Sequence, residues 1–395
     1  FLKRSLEVGP LVARERLVVI GGVAAGMSAA SRARRVNSEM EVIVLEKGEH
    51  ISYGACGLTY LVSGLVARPE DLLVYTPEFF REKRSIEVRT NHEAVELVPG
   101  QKQVIVRRGG ELSTLHYDKL VLSTGGAPAE DIPGTDAACV FDCNSLARAT
   151  ALRKFIEERH PKQGVVIGGG YIGLEAAEAL RAWQIQVTLL ERGKTLLDNL
   201  EPELEKIVRA KMTEHRVEIH TGAAVKTITP RSGGVNVLYG TKQVVAADVV
   251  VLATGLVPRT GLAVEAGIAV GPTGAIAVDE HMETNIPSIY AAGDCVETRH
   301  LVTGKAAYVP LGTTANKQGR VAGENAAGGK ATFPGVVGTL ATKVLDLEVA
   351  KTGLSLTEAQ QHGFAAEAVA IESISRAKYF AGKRLSVKLV FERDA

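Results

Sequence analysis

The chain has 395 residues, of which 46% are hydrophobic and 23% charged, which suits two or three folded domains and excludes a fibrous or disordered polypeptide. Its formal net charge of +1 excludes a global field favouring nucleic acid or an anionic membrane. The four cysteines, Cys56, Cys139, Cys143 and Cys295, form no C-x-x-C pair, which excludes a disulfide scaffold and suits a reducing cytoplasm.

In chain order, residues 1–15 begin with Phe1 rather than Met and read as an extension ahead of the fold. Arg16–Gly22 is predicted as a short buried strand, followed by a Gly-rich turn and a small-residue helix from Ala24 to Val36. A second strand, Glu41–Glu46, ends in an acid. The apolar run Leu17–Ala30 is interrupted by Gly21, Gly22 and Gly26 and is too short to cross a bilayer. Ser52-Tyr-Gly-Ala-Cys-Gly57 then places Cys56 in a turn before an apolar helix, where a helix N-terminus lowers a thiol pKa. The opening design returns later: strand Gly164–Gly168, turn Gly168–Gly173, helix Ile172–Trp183, and strand Ile185–Glu191, again ending in an acid. Two copies this far apart predict two doubly wound nucleotide domains.

Each turn carries a specific physical logic. Glycine allows the chain to turn tightly, brings peptide N–H groups against a pyrophosphate, and lets helix pack on strand. The helix N-terminus adds partial positive charge toward the anion, and an acid roughly 20 residues on accepts hydrogen bonds from ribose hydroxyls. Gly168, Gly170 and Gly173 match G-x-G-x-x-G, with Glu191 18 residues beyond Gly173. Gly21 and Gly26 match the outer glycines of the first turn, Val23 stands at the middle position, and Glu46 follows Gly26 by 20 residues. Two further segments, Leu120–Pro128 and Val250–Pro258, are buried strands that stop at Thr124-Gly125 and Thr254-Gly255 and leave through proline. They read as passages between the two nucleotide domains. Ile289–Cys295 is a strand ending at Gly293-Asp294, whose carboxylate suits the ribityl hydroxyls of a flavin. The nine histidines lack H-x-x-x-H spacing, and no metal site is expected.

With these motifs, the chain from about Leu17 onward resembles the pyridine nucleotide–disulfide oxidoreductases. Within them it is similar to the single-cysteine branch of coenzyme A-disulfide reductases, persulfide or polysulfide reductases, and NADH oxidases and peroxidases. The resemblance implies an α/β fold of two doubly wound dinucleotide-binding domains, for FAD and NAD(P)H, plus an α+β C-terminal interface domain. The expected divisions are 1–122 and 256–332 for the FAD domain, 123–255 for the inserted NAD(P)H domain, and 333–395 for the interface domain. That last domain opens at Phe333-Pro-Gly335 and Lys343–Glu348, and ends at Ala395 before the family pattern is complete.

The same resemblance implies FAD contacts at Gly21, Gly26, Glu46, Lys47, Gly125, Gly255, Gly293 and Asp294. It implies pyridine nucleotide contacts at Gly168, Gly170, Gly173, Glu175 and Glu191, with Tyr171 covering the flavin. Glu191 favours NADH because it repels a 2′-phosphate, and Arg192 partly offsets this, leaving NADPH open. Ser28, Arg32, Arg35, Ser52 and Tyr379 match positions that hold coenzyme A or reach a partner subunit's site, implying a homodimer.

Cys56 is the implied reactive thiol. Two-cysteine members carry their second thiol where Leu61 stands, so the partner of Cys56 is an external sulfur, or oxygen. Ala24 replaces the histidine, and Ala55 the serine, typical of oxygen-using members, which favours coenzyme A disulfide, persulfide or polysulfide as acceptor. The alternatives are an NADH oxidase and a non-catalytic redox-sensing flavoprotein. Thr59 departs from the family's usual proline after the cysteine.

Overall fold

The structure is a computed structural model that describes residues 14–129 and 132–393; residues 1–13 of the expected extension lie outside them. The first unit opens with β1 (Arg16–Ile20), α1 (Ala24–Val36) and β2 (Glu41–Glu46), followed by α2 (Leu58–Ser63), α3 (Pro77–Arg84) and β3 (Glu87–Thr90). An antiparallel meander, β4 (Glu93–Val98), β5 (Gln103–Arg108) and β6 (Glu111–His116), precedes β7 (Lys119–Leu122). Short β8 (Gly126–Pro128) leads out of this unit.

The second unit repeats the design. It runs through β9 (Val140–Asp142), α4 (Leu146–Arg159), β10 (Gln163–Ile167), α5 (Tyr171–Ala182), β11 (Gln186–Glu191), α6 (Pro202–Glu214) and β12 (Val217–Thr221). A second meander, β13 (Val225–Arg231), β14 (Gly234–Tyr239) and β15 (Gln243–Ala247), precedes β16 (Val249–Leu252). The chain returns through β17 (Leu256–Pro258), which pairs antiparallel with β8, so the two proline-ended segments cross side by side. After α7 (Gly261–Glu265) come β18 (Ile289–Ala291), the short pair β19 (Thr298–Arg299) and β20 (Ala306–Ala307), and α8 (Gly312–Ala326). The parallel sheets have orders β18-β7-β1-β2-β3 and β12-β11-β10-β16-β9, each with its acid-ended strand beside the strand that feeds the Gly turn.

The elements differ from the sequence reading at their ends. The first strand stops at Ile20 rather than Gly22, and the repeated one at Ile167 rather than Gly168, because Gly21 and Gly168 take φ of +104° and +111° and leave the extended region. The helix predicted over Ile172–Trp183 runs Tyr171–Ala182, and the strand predicted over Ile289–Cys295 ends at Ala291. Small residues dominate α1 because α8 lies directly against it. A Cβ on Gly319 would fall 2.2 Å from the Ala25 carbonyl oxygen, and one on Gly323 2.1 Å from that of Ala29.

Hairpin β21 (Leu340–Val344) and β22 (Leu347–Lys351) packs on α5, where the Leu345 N–H donates to Glu178 (2.8 Å). Helix α9 (Leu356–Gln361) starts at a capping box of Ser355 and Glu358. The chain then forms the long hairpin β23 (Ala366–Ile374) and β24 (Arg384–Glu392). Its Ile371 and Leu389 are more than half exposed, as are Tyr379 and Phe380 at its tip.

Candidate active site

Both Gly turns, Cys56 and Asp294 line one cavity of about 1950 Å³ between the two parallel sheets and the β21–β22 hairpin. That exceeds the few hundred to about 1,000 Å³ of an ordinary ligand site and suits more than one dinucleotide. Each turn closes by the same contact: a Cβ on Gly26 would fall 1.8 Å from the Gly21 carbonyl oxygen, and one on Gly173 1.9 Å from that of Gly168. The middle position differs. Gly170 has φ −78°, and a Cβ there would meet no atom within 4 Å, so a side chain fits. Val23, at φ −105°, occupies the matching place in the first turn without disturbing it.

The two strand-end acids also behave alike. Glu46 accepts from the N–H groups of Gly22 and Gly48, both at 2.7 Å; Glu191 accepts from those of Gly169 and Gly193. Each carboxylate thus ties its turn to the following loop at the cavity wall. Gly125 and Gly255 take positive φ at the wall, and Lys47 and Arg192 lie along it.

Gly293 (φ +87°) donates its N–H to the buried Gln318 Oε1 (2.9 Å), and Tyr308 Oη donates to the Asp294 carbonyl (2.9 Å). The Asp294 carboxyl faces the cavity with no hydrogen-bond partner among the described residues, and burial pushes its pKa up to about 6. A partly desolvated acid beside a glycine turn, lacking a protein partner, fits a group that receives ligand hydroxyls. These residues fit FAD at the first turn and a pyridine nucleotide at the second.

Cys56 is exposed on the same wall. It sits in a single 3-10 turn, Ala55–Gly57, that feeds directly into α2. The turn is held by Gly54 N–H to the Leu72 carbonyl (2.9 Å) and a bridge between Tyr53 and Leu73. Leu61 is fully buried. Burial disfavours the thiolate at the other three cysteines: it pushes Cys143 up to about 12 and raises Cys139 and Cys295.

Tyr171 opens α5 and donates to Asn199 Oδ1 (3.0 Å), with burial pushing its pKa up to about 12. One turn on, Glu175 accepts from Thr59 (3.0 Å) and Thr342 (2.7 Å). Burial raises its pKa, and the two hydroxyl bonds oppose that rise. Sequence reading singled out Thr59 only as a departure, and missed Thr342, Asn199 and Gln318, which bear no local signature.

The residues matched to coenzyme A do not join this wall. Ser28 donates to Asn316 (2.7 Å), Arg32 pairs with Glu324 (2.5 Å) and Arg35 bonds the Ser31 carbonyl (3.0 Å), so α1 turns them toward α8 or its own backbone. Ser52, in a left-handed conformation (φ 48°), donates its N–H to the Gly22 carbonyl, and Tyr379 stands 83% exposed at its hairpin tip. Among the described residues no cluster of His, Cys, Asp and Glu suits a metal ion, and no helix is long and apolar enough to cross a membrane.

The family model described as pyridine nucleotide-disulphide oxidoreductase matches residues 15–319. The chain is similar to the NAD(P)H coenzyme A polysulfide/persulfide reductase of Pyrococcus horikoshii, 39% identical over 381 residues covering 94% of this chain and 83% of that one. It is 33% identical over 383 residues to an NADH oxidase of Methanocaldococcus jannaschii, covering 96% of this chain and 85% of that one. Among solved structures it superposes on a NAD-dependent persulfide reductase from A. fulgidus with a TM-score of 0.92 and 40% identity, covering 96% of this chain and 72% of that one.

Proposed function

The chain belongs to the pyridine nucleotide–disulphide oxidoreductase family, and from that premise we infer an NAD(P)H-dependent flavoprotein reductase in which Cys56 is the reacting thiol. It reduces coenzyme A disulfide, persulfide or polysulfide. The observation that carries the role of Cys56 is convergence: an exposed thiol, two Gly turns with their acids, and a partnerless Asp294 share one cavity.

FAD, when bound, supplies two-electron exchange between NAD(P)H and sulfur. The chain's own groups do the rest. The amides of the first turn and Glu46 hold the FAD nucleotide end, and Asp294 takes its ribityl hydroxyls. The second turn and Glu191 hold the pyridine nucleotide, and Tyr171 stands between the two sites. The Cys56 thiolate attacks one substrate sulfur, forming a mixed disulfide or persulfide, and the other sulfur leaves as thiolate. With Leu61 buried and apolar, the position that carries the second thiol in two-cysteine members supplies none.

Ser28, Arg32, Arg35 and Ser52 are assigned to the coenzyme A moiety, and Tyr379 to the site of a second subunit. We place the enzyme in the cytoplasm, where its free thiols stay reduced.

In Cys56→Ser, NADH-linked reduction of coenzyme A disulfide and of persulfide should be lost while the visible flavin spectrum is kept. Undiminished turnover would refute the assignment, and NADH-driven oxygen uptake matching the sulfur-linked rate would move the enzyme to the oxidases. Mass spectrometry of Cys56 in purified protein, reading coenzyme A, sulfur or oxygen adducts, separates the acceptors.

A further inference from the structure

We propose that Thr59 is a positioning residue that couples the Cys56 turn to the pyridine nucleotide site by holding the carboxylate of Glu175, with Thr342 as the opposing clamp. The inference rests on the reading of Cys56 as the reactive thiol and of the second Gly turn as the nucleotide site.

Thr59 lies three residues after Cys56, in the first turn of α2, and is 5% exposed. A helical threonine ordinarily returns its hydroxyl to a carbonyl one turn back. Here the hydroxyl instead reaches Glu175 Oε2 (3.0 Å), in the helix that begins at the second Gly turn. Thr342 holds Oε1 (2.7 Å) from the β21–β22 hairpin. Three segments far apart in sequence therefore meet at one half-buried carboxylate, and Cys56, Thr59, Tyr171, Glu175 and Thr342 all line the cavity. A proline, the residue the family resemblance leads one to expect here, has no side-chain hydroxyl to donate.

The packing shows why such a link transmits. Helix α2 belongs to the core of the second unit: Leu58, Leu61 and Val62 pack in one cluster with Leu174, Ala177 and Leu180 of α5. Trp183 Nε1 donates to the Val62 carbonyl (2.7 Å), and Arg153 Nη1 to the carbonyls of Leu61 (3.2 Å) and Val66 (2.8 Å). The stretch before the cysteine is tied to the first unit as well, through Ser52 N–H to the Gly22 carbonyl (2.9 Å), while Tyr53 packs against the second unit's core. Cys56 thus sits on the seam, in a turn that contacts both nucleotide units. Thr59–Glu175 is the polar tie on the cavity side of that seam. A nucleotide that shifts the first turns of α5 shifts α2, and by reciprocity the state of the cysteine turn alters nucleotide affinity.

The test is alkylation of Cys56 by iodoacetamide in FAD-loaded enzyme, followed by mass spectrometry with and without saturating NAD⁺. A hydrogen bond to a charged acceptor corresponds to about tenfold in an equilibrium or more. NAD⁺ is therefore expected to change the alkylation rate of the unaltered enzyme by about tenfold. Thr59→Val, which keeps the shape and removes the donor, should cut the ratio to about twofold or less. Thr59→Ser should restore it, and Thr342→Val should lower it partway. A Thr59→Val enzyme with the unaltered ratio overturns the coupling, because direct shielding by nucleotide survives that change. An unaltered enzyme that ignores NAD⁺ overturns it as well. In both cases, loss of sulfur reduction in Cys56→Ser leaves the functional reading standing.

Discussion

At the residue scale, the cavity contrasts carboxylates the protein satisfies with one that has no protein partner among the described residues. Glu46, Glu175 and Glu191 each accept two hydrogen bonds from the chain itself. The Asp294 carboxyl accepts none from the described residues, and its pKa rises from the ordinary 3.8 to about 6 by burial. As pH climbs between those values the unfolded chain loses this proton while the folded chain keeps it, so stability falls over that window and is level above it. At about 1.4 kcal/mol per pH unit the loss is about 3 kcal/mol at most. Flavin-depleted Asp294→Asn should therefore be more stable than the unaltered protein in urea melts at pH 7, and equal to it near pH 3. Equal stability at both pH values would show that Asp294 carries no burial cost. The same variant should bind FAD more weakly, because an amide offers one neutral acceptor oxygen where the carboxylate offers two.

At the element scale, the two strand–turn–helix units show which glycines the fold requires. Gly26 and Gly173 are demanded by backbone contact, since a Cβ would lie within 2 Å of a carbonyl oxygen in the turn. Gly170 is demanded by neither conformation nor packing, which suits the proposed close approach of a phosphate. Gly173→Ala should cost about 3 kcal/mol by overpacking, visible as a lowered melting temperature. Gly170→Ala should melt within about 0.5 kcal/mol of the unaltered protein yet bind NADH several-fold more weakly in fluorescence titration. If the two variants melt alike, the division of labour within the turn is wrong.

At the scale of the whole molecule, the two nucleotide units are joined by the β8–β17 crossing and by α2, whose apolar face belongs to the core of the second unit. The β23–β24 hairpin leaves Ile371, Leu389, Tyr379 and Phe380 largely exposed, an apolar surface of the kind that marks an interaction site. A second copy of the chain is the occupant the family resemblance implies. Sedimentation equilibrium at micromolar concentration should report a dimer, and Leu389→Glu should shift it toward monomer. A monomer in the unaltered protein would remove the basis for assigning Tyr379 to a partner's site.

The sequence by itself determined the duplicated α/β plan, because G-x-G-x-x-G spacing, buried strand patterns and terminal acids are local signals with local causes. Helix α1 over Ala24–Val36 and strand β2 over Glu41–Glu46 were legible to the residue, whereas strand ends at Gly21 and Gly168 moved because positive φ is invisible in a letter string. Only the tertiary structure decided that Thr59 and Thr342 both meet Glu175, that Arg32 turns to Glu324, and that the helix after Cys56 is held by the opposite unit. Those pairings join positions 116, 167 and 292 residues apart, and no short-range rule of spacing reaches that far.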